Sequence, residues 1–287
     1  MIVDGSADAI IAHTLDGRLV YFNDAAAAQY GYTREEFEAL GPYGWIPDDD
    51  LVNVPARIDL IRECGSRLFP SHGAPRNGQI VHTEVNARHV KTPDGEIIIS
   101  IMRDVTERVL VEQEIRHLAF HDRLTGLANR AKLEDDLRLA LHSADRYNDL
   151  VGVVFLDLDD FKPVNDRLGH AVGDRVLCEV SDRMSAAVRE CDTVARLGGD
   201  EFLVLITRLA QREDLAAVTR KLSQEIERPV IIGEHEIRVS ASAGLAVYRP
   251  GELAADLTTR ADHAMYRAKQ AGVPGWEAFL LENENSL

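Results

Sequence analysis

Apolar and polar positions along the chain fall into two regimes. Up to about residue 106 the runs are short. "DAIIAHTLDGRLVYF" (8–22) reads as two strands about a turn at Asp16-Gly17. "NDAAAAQYGY" follows as a short helix with Asn23 or Asp24 as its N-cap. "TREEFEAL" opens on Thr33 with Glu36 three residues on, a capping-box pattern. "PDDDLVNVPARIDLIREC" predicts a further helix, and three strands follow around "FPSHGAPRNGQ", "IVHTEVNARHVKTP" and "GEIIISIMRDVT". The "TPDG" between the last two is a hairpin turn.

Residues 107–121, "ERVLVEQEIRHLAFH", predict a helix with Val111, Ile115 and Leu118 spaced as the start of a heptad seam. Such a helix either packs on its own domain or pairs with a second copy as a coiled-coil linker. Beyond it the elements lengthen. Helices are predicted at 130–146, 174–191, 215–228 and 257–272, the last stopped by Gly272. Strands are predicted at 150–159 and 237–248, with two more about the Gly-Gly turn in "TVARLGGDEFLVLIT" (193–207). Helices alternating with a mostly antiparallel sheet give an α+β domain.

Composition narrows the class. The 287 residues suffice for about two domains, with 45% apolar and 28% charged residues and a formal net charge of -16. That acidity argues against a nucleic-acid backbone or an anionic membrane surface as partner. It leaves nucleotides open, because a metal ion and a few local cations can hold phosphates. No signal peptide or run of about 18 apolar residues is evident, so a cytoplasmic protein is expected. Cys64, Cys178 and Cys191 lack metal-ligand spacing and read as buried thiols.

The order of strands and helices in the first part resembles the PAS sensor family. The resemblance rests on "DGRLVYFNDAAAAQYGY", on "PDDD" before a helix and on the closing "RDVTER". It implies a PAS sensor domain at 1–106, an antiparallel sheet with short helices. No cysteine stands in the flavin-type "NCRFLQ" context, and none of His13, His72, His82 and His89 falls on a haem-binding helix, so the ligand stays unnamed.

Chemistry concentrates in the second part. "VVFLDLDDF" ends a strand with Asp157, Asp159 and Asp160, and alternation puts Asp157 and Asp159 on one face. Two carboxylates so placed need a cation to join them. The Gly198-Gly199 turn supplies Asp200 and Glu201 nearby. A Gly-Gly turn with acids is by itself a common hairpin tip; beside "FLDLDDFKPVND" it reads as half of a Mg²⁺-type oxygen site. Lys162 follows the acidic strand end, where backbone amides could also face phosphate. Lys269, near a helix C-terminus, reads equally as a partner of the helix dipole.

From about 117 to 280 the chain resembles the GGDEF family of diguanylate cyclases. Five motifs in order carry this: "HDRLTGLANR", "FLDLDDFKPVNDRLGHAVGD", "RLGGDEF", "VSASAG" and "ADHAMYRAKQAG". The resemblance implies a palm-like nucleotidyl-cyclase-type domain at 122–282, behind a helical linker at 107–121. It implies an enzyme joining two GTP into cyclic di-GMP with release of two pyrophosphates, working as a homodimer. It also implies roles. Asp157, Asp200 and the Leu158 carbonyl would ligate Mg²⁺ or Mn²⁺, with Glu201 assisting. Asp200 would be the general base for the attacking 3′-hydroxyl. Asn165 and Asp174 would read the guanine edge. Asp160, Phe161, Lys162, His170, Gly198, Gly199 and Lys269 would complete the GTP site. Arg189 and Asp192, an "RxxD" ahead of the turn, match the family's inhibitory product site, although the same spacing also suits a helical surface ion pair. One departure is Val273, where members usually carry a phosphate-contacting arginine. A rival reading is a catalytically weak regulatory protein that binds GTP or cyclic di-GMP.

Overall fold

The structure is a computed structural model and describes residues 5–76 and 78–274. The predicted end of the second domain at 282 lies outside the described residues. Contacts divide the chain into two compact units, Met1–Glu114 and Ile115–Leu287.

In the first unit the strands are β1 (Ala9–Thr14), β2 (Leu19–Phe22), β3 (Ser66–Gly73), β4 (Val81–Thr92) and β5 (Gly95–Asp104). They form one antiparallel sheet in the order β2-β1-β5-β4-β3. Pro70 sits on β3, an edge strand, where a missing N–H costs no ladder bond. The helices are α1 (Asp24–Gln29), α2 (Arg34–Leu40), α3 (Asp48–Leu51) and α4 (Val54–Cys64), so the expected helix after "PDDD" is two. Asn23 caps α1 by accepting from the Ala26 amide at 3.1 Å and also accepts from the Ile10 amide of β1 at 2.9 Å. The Thr33–Glu36 capping box opens α2. Phe37 stacks on Trp45 at 4.6 Å between ring centroids, and Tyr30 packs beside them. A Cβ at Gly73 would stand 2.3 Å from the Tyr30 ring, so only glycine lets β3 approach it. The helices and sheet enclose a cavity of about 70 Å³ whose lining includes His13, Tyr43, Trp45, Phe69 and Met102. Burial lowers the pKa of His13, with its hydrogen bond to the Thr14 carbonyl pulling the other way.

Helix α5 (Thr106–Phe120) contains the break between units and buries none of its residues. The second unit then runs α6 (Arg130–Tyr147), β6 (Leu150–Asp159), α7 (Phe161–Leu168), α8 (His170–Ala187), β7 (Thr193–Gly198), β8 (Glu201–Leu209) and α9 (Glu213–Ile226). It closes with β9 (Val230–Ile232), β10 (His235–Ile237), β11 (Ser240–Val247) and α10 (Ala254–Ala271). The main sheet is antiparallel in the order β11-β6-β8-β7, and β9 with β10 forms a separate hairpin.

Both faces of the main sheet are covered. On one, Leu156, Leu158, Val204 and Leu245 pack against α8 and α9 through Val180, Met184, Leu215 and Leu222. On the other, Val153, Phe155, Leu205 and Ala246 pack against α6 and α10 through Leu137, Leu141, Leu257 and Ala261. This explains the unbroken apolar run of β6, whose side chains are buried on both sides. A Cβ at Gly244 would stand 2.1 Å from the Ala261 carbonyl and the Met265 amide, so α10 lies backbone-on-backbone against β11.

Several expectations are corrected. The helix placed at 174–191 is α8, which spans His170–Ala187, so Arg189 and Asp192 lie in the loop before β7 and form no helical pair. Helix α7 and the β9–β10 hairpin were not anticipated. The thiols are not buried: Cys64 and Cys191 are exposed, because one ends a surface helix and the other lies in that loop.

Candidate active site

Strand β6 delivers its carboxylates at the end of the α6/α10 face. Asp157 pairs across the ladder with Glu201 on β8 and with Ser242 on β11, and Asp159 pairs with Ser240. Residues directly opposite share a face, so Asp157, Asp159, Glu201, Ser240 and Ser242 make one polar patch beyond the apolar stripe. The cation joining the acids is Lys269. Its ammonium lies 2.5 Å from Asp157 Oδ1 and 3.5 Å from Asp159 Oδ1. The hydrogen bond that Lys269 donates to Asp157, outweighing burial, raises the Lys269 pKa. Position 269 is reachable because α10 is docked at Gly244, one turn of helix earlier at Met265. Lys269 is therefore engaged with carboxylates rather than only complementing a helix end.

The Gly198–Gly199 turn joins β7 to β8 with φ of 145° and 56°, values that L side chains rarely adopt. It is held from two sides. The Leu158 amide donates to the Asp200 carbonyl at 3.2 Å. Arg196 donates to the Gly199 carbonyl from Nε at 3.0 Å and Nη2 at 2.7 Å. Its third nitrogen, Nη1, donates to Asp122 Oδ1 at 2.9 Å. Asp122 also accepts from the Thr125 amide and hydroxyl at 3.0 and 2.7 Å. Burial opposes ionisation of Asp122, but the Thr125 and Arg196 hydrogen bonds prevail and hold its pKa below the usual range. Thus "HDRLTGL" and "RLGGDEF" are one clamp in space. Neither Arg196 nor Asp122 was singled out from the sequence, although both stand inside quoted motifs.

Beyond β6 the chain turns sharply into α7. Asp160 carries the turn in the left-handed region at φ 53°, an uncommon conformation for a residue with a side chain. Phe161 is buried in the core below it, while Lys162 stays exposed. Asn165 on α7 faces α8 so closely that a Cβ at Gly173 would stand 1.9 Å from its Oδ1. His170 and Asp174 are exposed on the first turns of α8.

Arg189 and Asp192 occupy the opposite end of β7 from the turn, about 17 Å of strand away. Asp192 is a structural acceptor: Oδ2 takes the Arg189 amide at 3.1 Å, and Oδ1 takes the Thr207 amide at 2.9 Å. Arg189 is exposed. Val273 is 41% exposed just after α10.

Among the described residues no three His, Cys, Asp or Glu side chains converge closely enough to enclose a metal ion. The donors at the strand end are nonetheless hard oxygens, and Lys269 shows that a positive charge is stabilised among them. Mg²⁺ takes one or two carboxylates and completes its shell with water and substrate phosphate, so the donor set fits.

An antiparallel palm with carboxylates at its strand end and a clamped glycine turn beside them defines a nucleotidyl-cyclase-type domain. Residues 119–274 match the family described as diguanylate cyclase, GGDEF domain, and residues 7–107 match the PAS domain family. The chain belongs to the GGDEF family and carries a PAS domain ahead of its GGDEF domain. The bifunctional diguanylate cyclase/cyclic di-GMP phosphodiesterase MucR of Pseudomonas aeruginosa is 45% identical over 172 residues, covering 60% of this chain and 25% of that protein. Diguanylate cyclase TpbB of the same species is 40% identical over 158 residues, covering 54% of this chain and 36% of that protein. The coiled coil and GGDEF domain of DgcB from Caulobacter crescentus, solved in complex with c-di-GMP, is similar with a TM-score of 0.54 at 30% identity. That match covers 58% of this chain and 90% of the other. The chain thus spans between 25% and 36% of these two curated relatives. Among the described residues no helix is long and apolar enough to cross a membrane.

Proposed function

We propose that the protein condenses two GTP into cyclic di-GMP and two pyrophosphates. The observation that carries this is the cross-strand pairing of Asp157 with Glu201 beside a Gly198–Gly199 turn clamped by Arg196. Asp157, Asp200, Glu201 and the Leu158 carbonyl would hold Mg²⁺ or Mn²⁺, which when bound acidifies the attacking hydroxyl and takes up phosphate charge. Asp200 accepts the proton of one nucleotide's 3′-hydroxyl as that oxygen bonds the α-phosphorus of the other. The pyrophosphate leaves with the displaced bond's electrons, and a second such step closes the ring. Asp174 accepts from guanine N1–H and N2–H₂, which adenine cannot offer, and Asn165 completes the edge. Lys162, Lys269 and the backbone at Asp160 and Phe161 hold phosphate, His170 lines the nucleotide, and the bare Gly198–Gly199 turn lies beneath it.

Each protomer holds one GTP, so two sites must face each other in a homodimer. The exposed Val111, Ile115 and Leu118 of α5 supply a seam for it. The PAS domain at 1–106 and the linker at 107–121 then set the balance between competent and incompetent pairs. Product bound by Arg189 and Asp192 inhibits. A GTP substrate places the reaction in the cytoplasm.

Incubation of the purified chain with GTP, ATP and Mg²⁺, with products identified by mass, tests this. Cyclic di-GMP that vanishes in Asp200→Asn is expected, whereas cyclic GMP-AMP or no product overturns the reading. Val273 favours one alternative, a weakly catalytic receptor for GTP or cyclic di-GMP, in which the nucleotide binds and no product forms.

A further inference from the structure

The cation that joins Asp157 to Asp159 is the protein's own. Lys269 gives Asp157 a contact of 2.5 Å, at the carboxylate assigned above to the metal. One carboxylate oxygen cannot hold an ammonium and a divalent ion at the same point. Asp159 differs from Asp157 in its surroundings. Both its oxygens are already tethered, Oδ2 by the Ser240 hydroxyl at 2.9 Å and Oδ1 by the Ser242 hydroxyl at 2.7 Å. Its distance of 3.5 Å to Lys269 is a standing ion contact, longer than a full hydrogen bond. The lysine side chain is 46% exposed, so its ammonium is open to solvent on one side.

We propose that Lys269 is a resident cation that competes with the metal for Asp157, and that Asp159 is the positioning residue that draws it aside and holds it as it gives up Asp157. On this view Lys269 gives up Asp157 when the metal and nucleotide enter, and turns to the incoming phosphate. Asp159, fixed by the two serines of β11, keeps hold of it through the exchange. The swap limits charge imbalance, because a divalent cation and a polyanion arrive as the ammonium changes partner. It also explains why acids placed side by side on β6 are held together without mutual repulsion. The argument rests on the GTP reading for the phosphate half alone; the competition with metal stands independently.

The test is therefore made without nucleotide. Mn²⁺ binding to the full chain is measured by electron paramagnetic resonance of the free ion. Lys269→Gln should tighten Mn²⁺ binding at least about tenfold. Lys269→Met, which keeps an apolar stem, must do the same, so that a packing change is not mistaken for competition. Lys162→Gln removes the same charge just past the strand end and should shift affinity less than about twofold. Asp159→Asn leaves Lys269 wholly to Asp157 and should weaken Mn²⁺ binding several-fold more in the wild-type background than in Lys269→Gln. Unchanged affinity in Lys269→Gln, or an equal gain in Lys162→Gln, overturns the competition. Equal effects of Asp159→Asn in both backgrounds overturn its positioning role. Absence of cyclic di-GMP synthesis would sink the GTP reading while leaving this titration interpretable.

Discussion

Val273 puts an apolar side chain where the family resemblance implies a phosphate-contacting arginine, and it stays partly exposed beyond the last turn of α10. A guanidinium there adds a charge-assisted contact to phosphate, worth about 1 kcal/mol at an exposed site. Val273→Arg should lower the KM for GTP about fivefold with kcat little changed, and steady-state kinetics would show it. The two residues of the proposed inhibitory site, Arg189 and Asp192, are expected to behave differently. Arg189→Ala should raise the cyclic di-GMP concentration needed for half-inhibition while moving stability by less than about 0.5 kcal/mol. Asp192→Ala should raise that concentration and also destabilise the fold, since two backbone amides lose their acceptor at a cost of about 1–2 kcal/mol. Paired inhibition curves and denaturant melts distinguish them. At this scale the sequence was informative about carboxylates and poor about their supports. Alternation alone put Asp157 and Asp159 on one face, but that their cation is Lys269, 112 residues beyond Asp157, depends on where a helix docks. Arg196 and Asp122 were likewise illegible as a pair, because nothing local links a turn at 122 to a strand at 196.

Among the elements, α7 and α8 show what periodicity could not resolve. Two helices meet across Gly169, at φ 85°, within a stretch whose apolar positions are too sparse to mark a first helix of eight residues. The corner is closed by Gly173 lying under Asn165. Gly173→Ala should alter stability little, because alanine favours helix by about 1 kcal/mol and the two atoms it would overlap, Oδ1 and Cγ of Asn165, end a movable side chain, with the Phe161 ring next at 3.3 Å. It should raise the KM for GTP by displacing the Asn165 amide; calorimetric binding of a GTP analogue checks this, and unchanged affinity would remove Asn165 from the guanine site. The long strands and amphipathic helices of the second unit were legible because their cores are two-sided and strongly patterned. The β9–β10 hairpin was not, since three-residue strands leave no period to read.

For the whole molecule the decisive element is α5, a helix with no buried residue and a row of exposed aliphatics. Ile115→Asp should abolish dimerisation and synthesis together while leaving each unit folded, as light scattering and circular dichroism would report. Loss of the dimer with full activity would contradict the need for two facing sites. Removing residues 1–106 should change the rate of synthesis or the dimerisation constant; if neither moves, control by the PAS domain falls. The two-domain order was readable from motifs alone, whereas the cavity-filling signal is not, because ligand identity depends on a few side chains such as His13 converging in space.

The contact at Gly244 bears on which substitutions the fold tolerates as well as on reach. Every other residue carries a Cβ, and here that atom would meet main chain rather than a side chain able to step aside. No single substitution at 244 is therefore silent: each lifts α10 from the sheet and withdraws the ammonium at 269 with it. Elsewhere along their lengths helix and strand can change separately, but at this point a change in one requires a change in the other.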